Sequence, residues 1–216
     1  WGSRPEMVTV KKFAAEMSLI PLLSGQIEIN RVILEGVDLL AEKDKAGKAN
    51  WAFGTAKPAQ KSESSSSGGD VALPVVHMVS IKDVKVTYKD AQAGAEYALN
   101  LQSVDLSADG SSSPLNLDVK GIINGQSFNV GGQLGSIAAL AGGDMFPIKL
   151  DIGALGANIA LQGQAGVPGG APKADIKLSL KGASLAETLT QADALSPGLK
   201  DIKLPVSGGY HVNSQI

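Results

Sequence analysis

Ile81-Lys82-Asp83-Val84-Lys85-Val86-Thr87-Tyr88-Lys89 is the stretch from which the fold can be read. Val84, Val86 and Tyr88 alternate with Lys85, Thr87 and Lys89, so apolar and polar side chains fall on opposite faces of a strand. Between Ile81 and Val84 stand two polar residues instead of one. A β-bulge there returns the apolar face after one extra residue and adds local twist.

The same signature recurs on both sides. Ile27 and Ile29 alternate with Gln26, Glu28 and Asn30, the phase slips, and it resumes at Val32, Leu34, Val37 and Leu39. Tyr97, Leu99 and Leu101 slip in the same way to Val104 and Leu106. Ile29-Asn30-Arg31-Val32 and Leu101-Gln102-Ser103-Val104 thus repeat the spacing of Ile81 to Val84. This is a weak internal repeat, and coincidence in a chain rich in Val and Leu remains the other reading. Further period-two runs are Leu115-Leu117-Val119, Phe128-Val130, Ile148-Leu150-Ile152, Ile159-Leu161 and Ile176-Leu178-Leu180.

Turns separate these runs. Asn124-Gly125 is a two-residue hairpin signal, and Gly153–Gly156 marks a second hairpin. Ser184-Leu185-Ala186-Glu187 has the form of a capping box before a short helix. Ser136–Ala141 predicts one or two further helical turns, and Leu19–Gly25 a turn or short helix that plugs one end of the sheet. Gly131-Gly132-Gln133-Leu134-Gly135 lacks the pattern of a phosphate loop and reads as a strand end and turn. The expected fold is mainly β: an antiparallel meander forming a twisted, bent sheet, half-barrel or groove, with one or two short helices.

Residues 57–72 carry a Ser/Gly-rich run that reads as a flexible loop. The organisation is then a β lobe over 1–56, the loop, and a longer β lobe over 73–216. About 55 residues make a marginal core alone, so the two lobes are expected to share one sheet.

Composition narrows the function. With 44% hydrophobic and 19% charged residues the chain can bury apolar surface. Only 4% aromatics and 26 glycines favour short strands and tight turns over a dense aromatic core. A net charge of -2 gives no electrostatic reason to expect nucleic acid as a partner. The absence of cysteine excludes disulfides, thiolate metal sites and cysteine catalysis, and it suits either a reducing cytosol or a periplasm. The only histidines, His77 and His211, read as strand-edge residues, without metal spacing or a G-x-S-x-G elbow. Glu35 with Asp38, and Glu42 with Asp44, fit solvated faces or turns. No catalytic residue, metal or cofactor is therefore expected, and the chain is not expected to be an enzyme. In Gly47-Lys48-Ala49-Asn50-Trp51-Ala52-Phe53, a turn delivers Asn50, Trp51 and Phe53 as a structural anchor against the sheet.

Ile20 to Val37, containing Pro21-Leu22-Leu23-Ser24-Gly25, followed by Gly47-x-x-Asn50-Trp51-x-Phe53, resembles the N-terminal region of the AsmA family. Trp1-Gly2-Ser3-Arg4-Pro5-Glu6-Met7-Val8 is similar to that family's preceding segment, and Val79 to Tyr88 to its next repeat. The resemblance is specific over 1–53 and 79–106. It implies a periplasmic segment of a longer envelope protein, anchored in the inner membrane by a helix upstream of residue 1. It also implies a role in outer-membrane biogenesis, with phospholipid carried along a β groove and other envelope proteins as partners. Ile27, Ile29, Val32, Leu34, Ile81, Val84 and Val86 are then candidate groove-lining residues; the same residues could pack an ordinary sandwich core. The alternative function is a β-sandwich, adhesin-like module that recognises protein or glycan through loops 142–146 and 166–173.

Overall fold

A computed structural model describes residues 2–52, 75–168, 172–193, 195 and 210–215. Eleven strands form a single sheet that does not close. Along the chain they are β1 (Val8–Met17), β2 (Glu28–Lys43), β3 (Val75–Val76), β4 (Met78–Asp90), β5 (Ala95–Ser107) and β6 (Pro114–Ile123). There follow β7 (Gln126–Ser136), β8 (Phe146–Ala154), β9 (Ala157–Gly166), β10 (Lys173–Gly182) and β11 (Tyr210–Gln215). Three short helices accompany them: α1 (Leu19–Leu23), α2 (Ile137–Gly142) and α3 (Leu185–Ala192).

From β4 to β11 every neighbour in the sheet is the next strand in sequence, and each pair is antiparallel. The hairpins turn where φ > 0 is tolerated: Asn124-Gly125 (φ 47 and 82) and Leu155-Gly156 (φ 56 and 69). The expected meander fails at one point. β2 pairs with β3 and β4 in parallel, in one constant register from Glu28 opposite Val75 to Lys43 opposite Asp90. A parallel pair needs a crossover, and β3 accordingly starts at the end of the sheet where β2 began. Strands from both sides of the Ser/Gly-rich run thus share one sheet; residues 57–72 themselves lie outside the described residues.

The phase slips have physical counterparts. Gly36 in β2 (φ 65) and Asp83 in β4 (φ 53) lie level with each other and take the left-handed backbone that displaces the alternation by one residue. Asp83 in turn lies level with Gln102 of β5, and the register between β5 and β6 shifts between Leu101 and Ser103. The irregularity therefore crosses three neighbouring strands and is absorbed at the fourth. A second line passes through Asn30 and His77. There the β1–β2 register shifts between Glu16 and Met17, and β3 is separated from β4.

The helices form at their capping residues. Ser136 and Ser184 accept hydrogen bonds from the amides of Ala139 and Glu187, each at 3.2 Å. Two expectations are corrected. Gly131–Gly135 is not a turn but the second half of β7, up to its last residue but one, where Gly132 and Gly135 let the neighbouring strand approach. A Cβ at Gly132 would collide with the Lys149 carbonyl. Nor does α1 plug the sheet: Leu19, Ile20 and Leu23 are 73%, 83% and 90% exposed.

No second layer covers the sheet among the described residues, so the two-sheet sandwich of the alternative function is not what they build. The buried hydrophobic residues are Leu40, Val84, Ala108 and Ala157, and no large side chain is fully enclosed.

Candidate functional site

Paired residues in neighbouring strands project to the same face, so the registers define rows across the sheet. One row runs Phe13, Leu34, Ile81, Val104, Val119, Val130, Ile152, Ile159, Leu180 and Val212, apolar at each of ten strands. Beside it lies Ala15, Val32, Val79, Leu106, Leu117, Gly132, Leu150, Leu161 and Leu178. At roughly 4.8 Å per strand the first row is about 43 Å long, more than the ~30 Å hydrocarbon core of a bilayer. Most of these side chains are half-buried. Neighbours in the row cover their flanks, while nothing described covers their tips.

The residues singled out from the sequence lie on this face. Leu34 is paired with Ile81, Val32 with Val79 and Val86 with Leu39. Val84, paired with Leu101, is 8% exposed, and Ile29 pairs with Met17 and Val76. Ile27 precedes β2 and is 47% exposed. The downstream members from Val104 to Leu180 were legible as strand residues but not as parts of one row, and Val212 was not read as a strand residue. Only the registers set by the turns show that one row joins them.

The opposite face is polar. The row containing Lys12, Glu35, Lys82, Ser103, Lys120, Asn129, Asn158 and Lys181 runs there. A shallow depression of about 620 Å³ lies over it, lined by Gln133, Lys149, Gln162, Lys177 and Asp175 among others. It offers amides and ammonium groups.

One end of β2 is held by contacts that involve the anchor residues. The Leu40 amide bonds the Met7 carbonyl, after which β1 is no longer beside β2. Asn50 takes its place: its side chain accepts from the Glu42 amide and donates to the Leu40 carbonyl, both at 2.9 Å. The Asn50 amide also bonds the Glu42 carbonyl. A side-chain amide therefore replaces a peptide group of the missing strand. Asp44 shapes the intervening turn by accepting from the amides of Ala46 and Lys48. Trp51 then meets Tyr88 at 6.1 Å between ring centroids, and Tyr88 stacks on Tyr97 at 6.3 Å. Phe53 lies outside the described residues.

A further clasp at this end was not legible in the sequence. Glu42, 6% exposed, accepts from the Ser3 amide at 2.7 Å and the Ser3 hydroxyl at 2.6 Å. Arg4 reaches the Asp38 carboxylate at 2.7 Å. The Ser3 hydroxyl and amide hold Glu42 below the usual carboxylate range, and the Arg4 hydrogen bond does the same for Asp38.

His77 is not at a strand edge but between β3 and β4, inside the sheet. Its Nε2 lies 2.8 Å from Glu28 Oε1, and its Nδ1 lies 3.3 Å from the Ala108 carbonyl oxygen. The ring thus lies between β2 and the residue that follows β5, across the break. The backbone of His211 pairs with Lys181. Among the described residues no group of three His, Asp or Glu side chains could hold a metal, and no helix is long and apolar enough to cross a membrane.

No curated protein and no solved structure matches this chain. The family model described as AsmA family matches it over residues 1–208.

Proposed function

The chain belongs to the AsmA family, a bacterial envelope family, and from that premise we propose that its open sheet binds phospholipid acyl chains and guides them along the apolar face. In this reading it is a non-catalytic, periplasmic segment of a protein anchored in the inner membrane by a helix upstream of residue 1. Its role is in outer-membrane biogenesis, alongside other envelope proteins.

The observation that carries the proposal is the row from Phe13 to Val212, apolar on each of the ten strands it crosses and uncovered by a second layer of described residues. An acyl chain laid across it is removed from water at about 0.8 kcal/mol per methylene buried. The strands' backbone groups pair within the sheet, so the face presents only side chains to hydrocarbon. Headgroups stay at the strand ends, where turns and polar residues meet water.

The test is purification of the chain from a bacterial envelope followed by mass spectrometry of bound phospholipid, for the wild type and for Ile152→Asp and Leu161→Asp. These residues are half-buried in the uncovered face, so the variants should fold while losing most of the lipid. Folding is checked by far-UV circular dichroism. No lipid on the wild type, or lipid unchanged in folded variants, would sink the proposal.

A further inference from the structure

Exposed apolar side chains are concentrated at one corner of the molecule. Of the fifteen large exposed hydrophobic residues among those described, nine lie between Val8 and Ile27. The three most exposed sit on α1, Leu23 at 90%, Ile20 at 83% and Leu19 at 73%, and Ile27 beyond it is 47% exposed. α1 buries none of its residues.

Three properties decide what this tip fits. First, Leu19-Ile20-Pro21-Leu22-Leu23 is apolar around its whole circumference, unlike a helix that lays one stripe on a partner. A protein groove covers one side of a helix, whereas hydrocarbon surrounds it. Second, two backbone carbonyls of α1 are paired within the tip. The Pro21 carbonyl accepts from the amides of Ser24 and Gln26 and from the Ser24 hydroxyl, and the Leu22 carbonyl accepts from the Gly25 amide. Pro21 has no amide hydrogen to strand. A protrusion with paired carbonyls enters an apolar phase at low cost. Third, no side chain from Met17 to Ile27 is charged, which complements uncharged hydrocarbon and gives no handle for a charged protein surface. The charges begin again at Glu16, Glu28 and Arg31, at the foot of the tip.

We propose that the Met17–Ile27 tip inserts into the hydrocarbon margin of a lipid surface and seats the β1 end of the sheet there. The β1 edge, which pairs with no further strand among the described residues, stays in the headgroup layer. The inference does not rest on lipid binding by the sheet face, and it is tested separately.

The chain lacks cysteine, so a single Leu23→Cys substitution accepts an environment-sensitive dye at the tip, and Lys149→Cys places the same dye on the polar face. The probes are vesicles of phosphatidylcholine alone and of phosphatidylcholine with phosphatidylglycerol. The expected result is a blue shift and quenching by acyl-chain quenchers for the Leu23 dye, none for the Lys149 dye, and little gain from the anionic lipid. Ile20→Ser/Leu23→Ser should lower vesicle affinity at least ~10-fold, because each apolar side chain entering hydrocarbon contributes a decade or more. Leu161→Asp should leave tip insertion unchanged even where it abolishes lipid capture by the face.

A Leu23 dye that stays in water on bound vesicles overturns the proposal, as does unchanged affinity of the double variant. If the wild type ignores vesicles but dimerises through the tip, as shown by sedimentation and lost in the double variant, a second copy is the occupant and the proposal fails.

Discussion

Glu42 is the buried charged residue among those described, and its surroundings explain how it is tolerated. A buried carboxylate is costly unless hydrogen bonds favour its charged form, and Ser3 supplies two. Asp38 gains similarly from Arg4. The consequence for stability has a definite sign. In the unfolded chain both groups titrate near pH ~4, and folding depresses both. The folded state is therefore favoured above the unfolded value, and that contribution is lost as pH falls through the lower folded values. The thermal midpoint should be level above about pH 5 and fall on acidification below about pH 4. Glu42→Gln should lower the midpoint at neutral pH and flatten the acid limb. A variant curve parallel to the wild type throughout would show that the clasp contributes nothing.

At the scale of elements, the governing feature is the line of left-handed or slipped residues through Gly36, Asp83 and Gln102. Glycine takes such a backbone readily, whereas other L-residues lose about 1–2 kcal/mol there. A Cβ on Gly36 would also press on the Lys11 side chain. Gly36→Ala should therefore destabilise by about 1–2 kcal/mol in urea unfolding, while Asp83→Gly should be neutral or stabilising. A neutral Gly36→Ala would mean that the slip is imposed from elsewhere. The two polar residues between apolar ones showed the slips of β4 and β5 in the sequence, whereas in β2 they marked Asn30 and Arg31 and not Gly36. That the slips align across neighbouring strands did not show, because alignment depends on the parallel register of β2 with β4.

For the whole molecule, the open face is the dominant fact. Small rows of Val, Leu and Ile with uncovered tips should bind a solvatochromic apolar dye in the native state, before any unfolding. Phospholipid should displace the dye and raise the unfolding midpoint, by an amount equivalent to ~2.7 kcal/mol at a ligand concentration of 100 Kd. A native protein that leaves the dye dark would mean that the face is sealed.

The alternation, Asn124-Gly125, the serine caps and the slips by themselves determined that this chain forms bulged strands, tight hairpins and short capped helices. All of these are set by local backbone and side-chain preferences. The apolar alternation of β2 and β4 was legible for the same reason. Tertiary structure alone decided the parallel β2–β4 pairing, the clasp of Ser3 and Arg4 on β2, the exposure of α1 and, among the described residues, the absence of a second layer. Period-two alternation requires only that one face avoid water; a sandwich and an open groove satisfy it equally. Which of the two forms depends on contacts between residues far apart in the chain, and no local pattern encodes them.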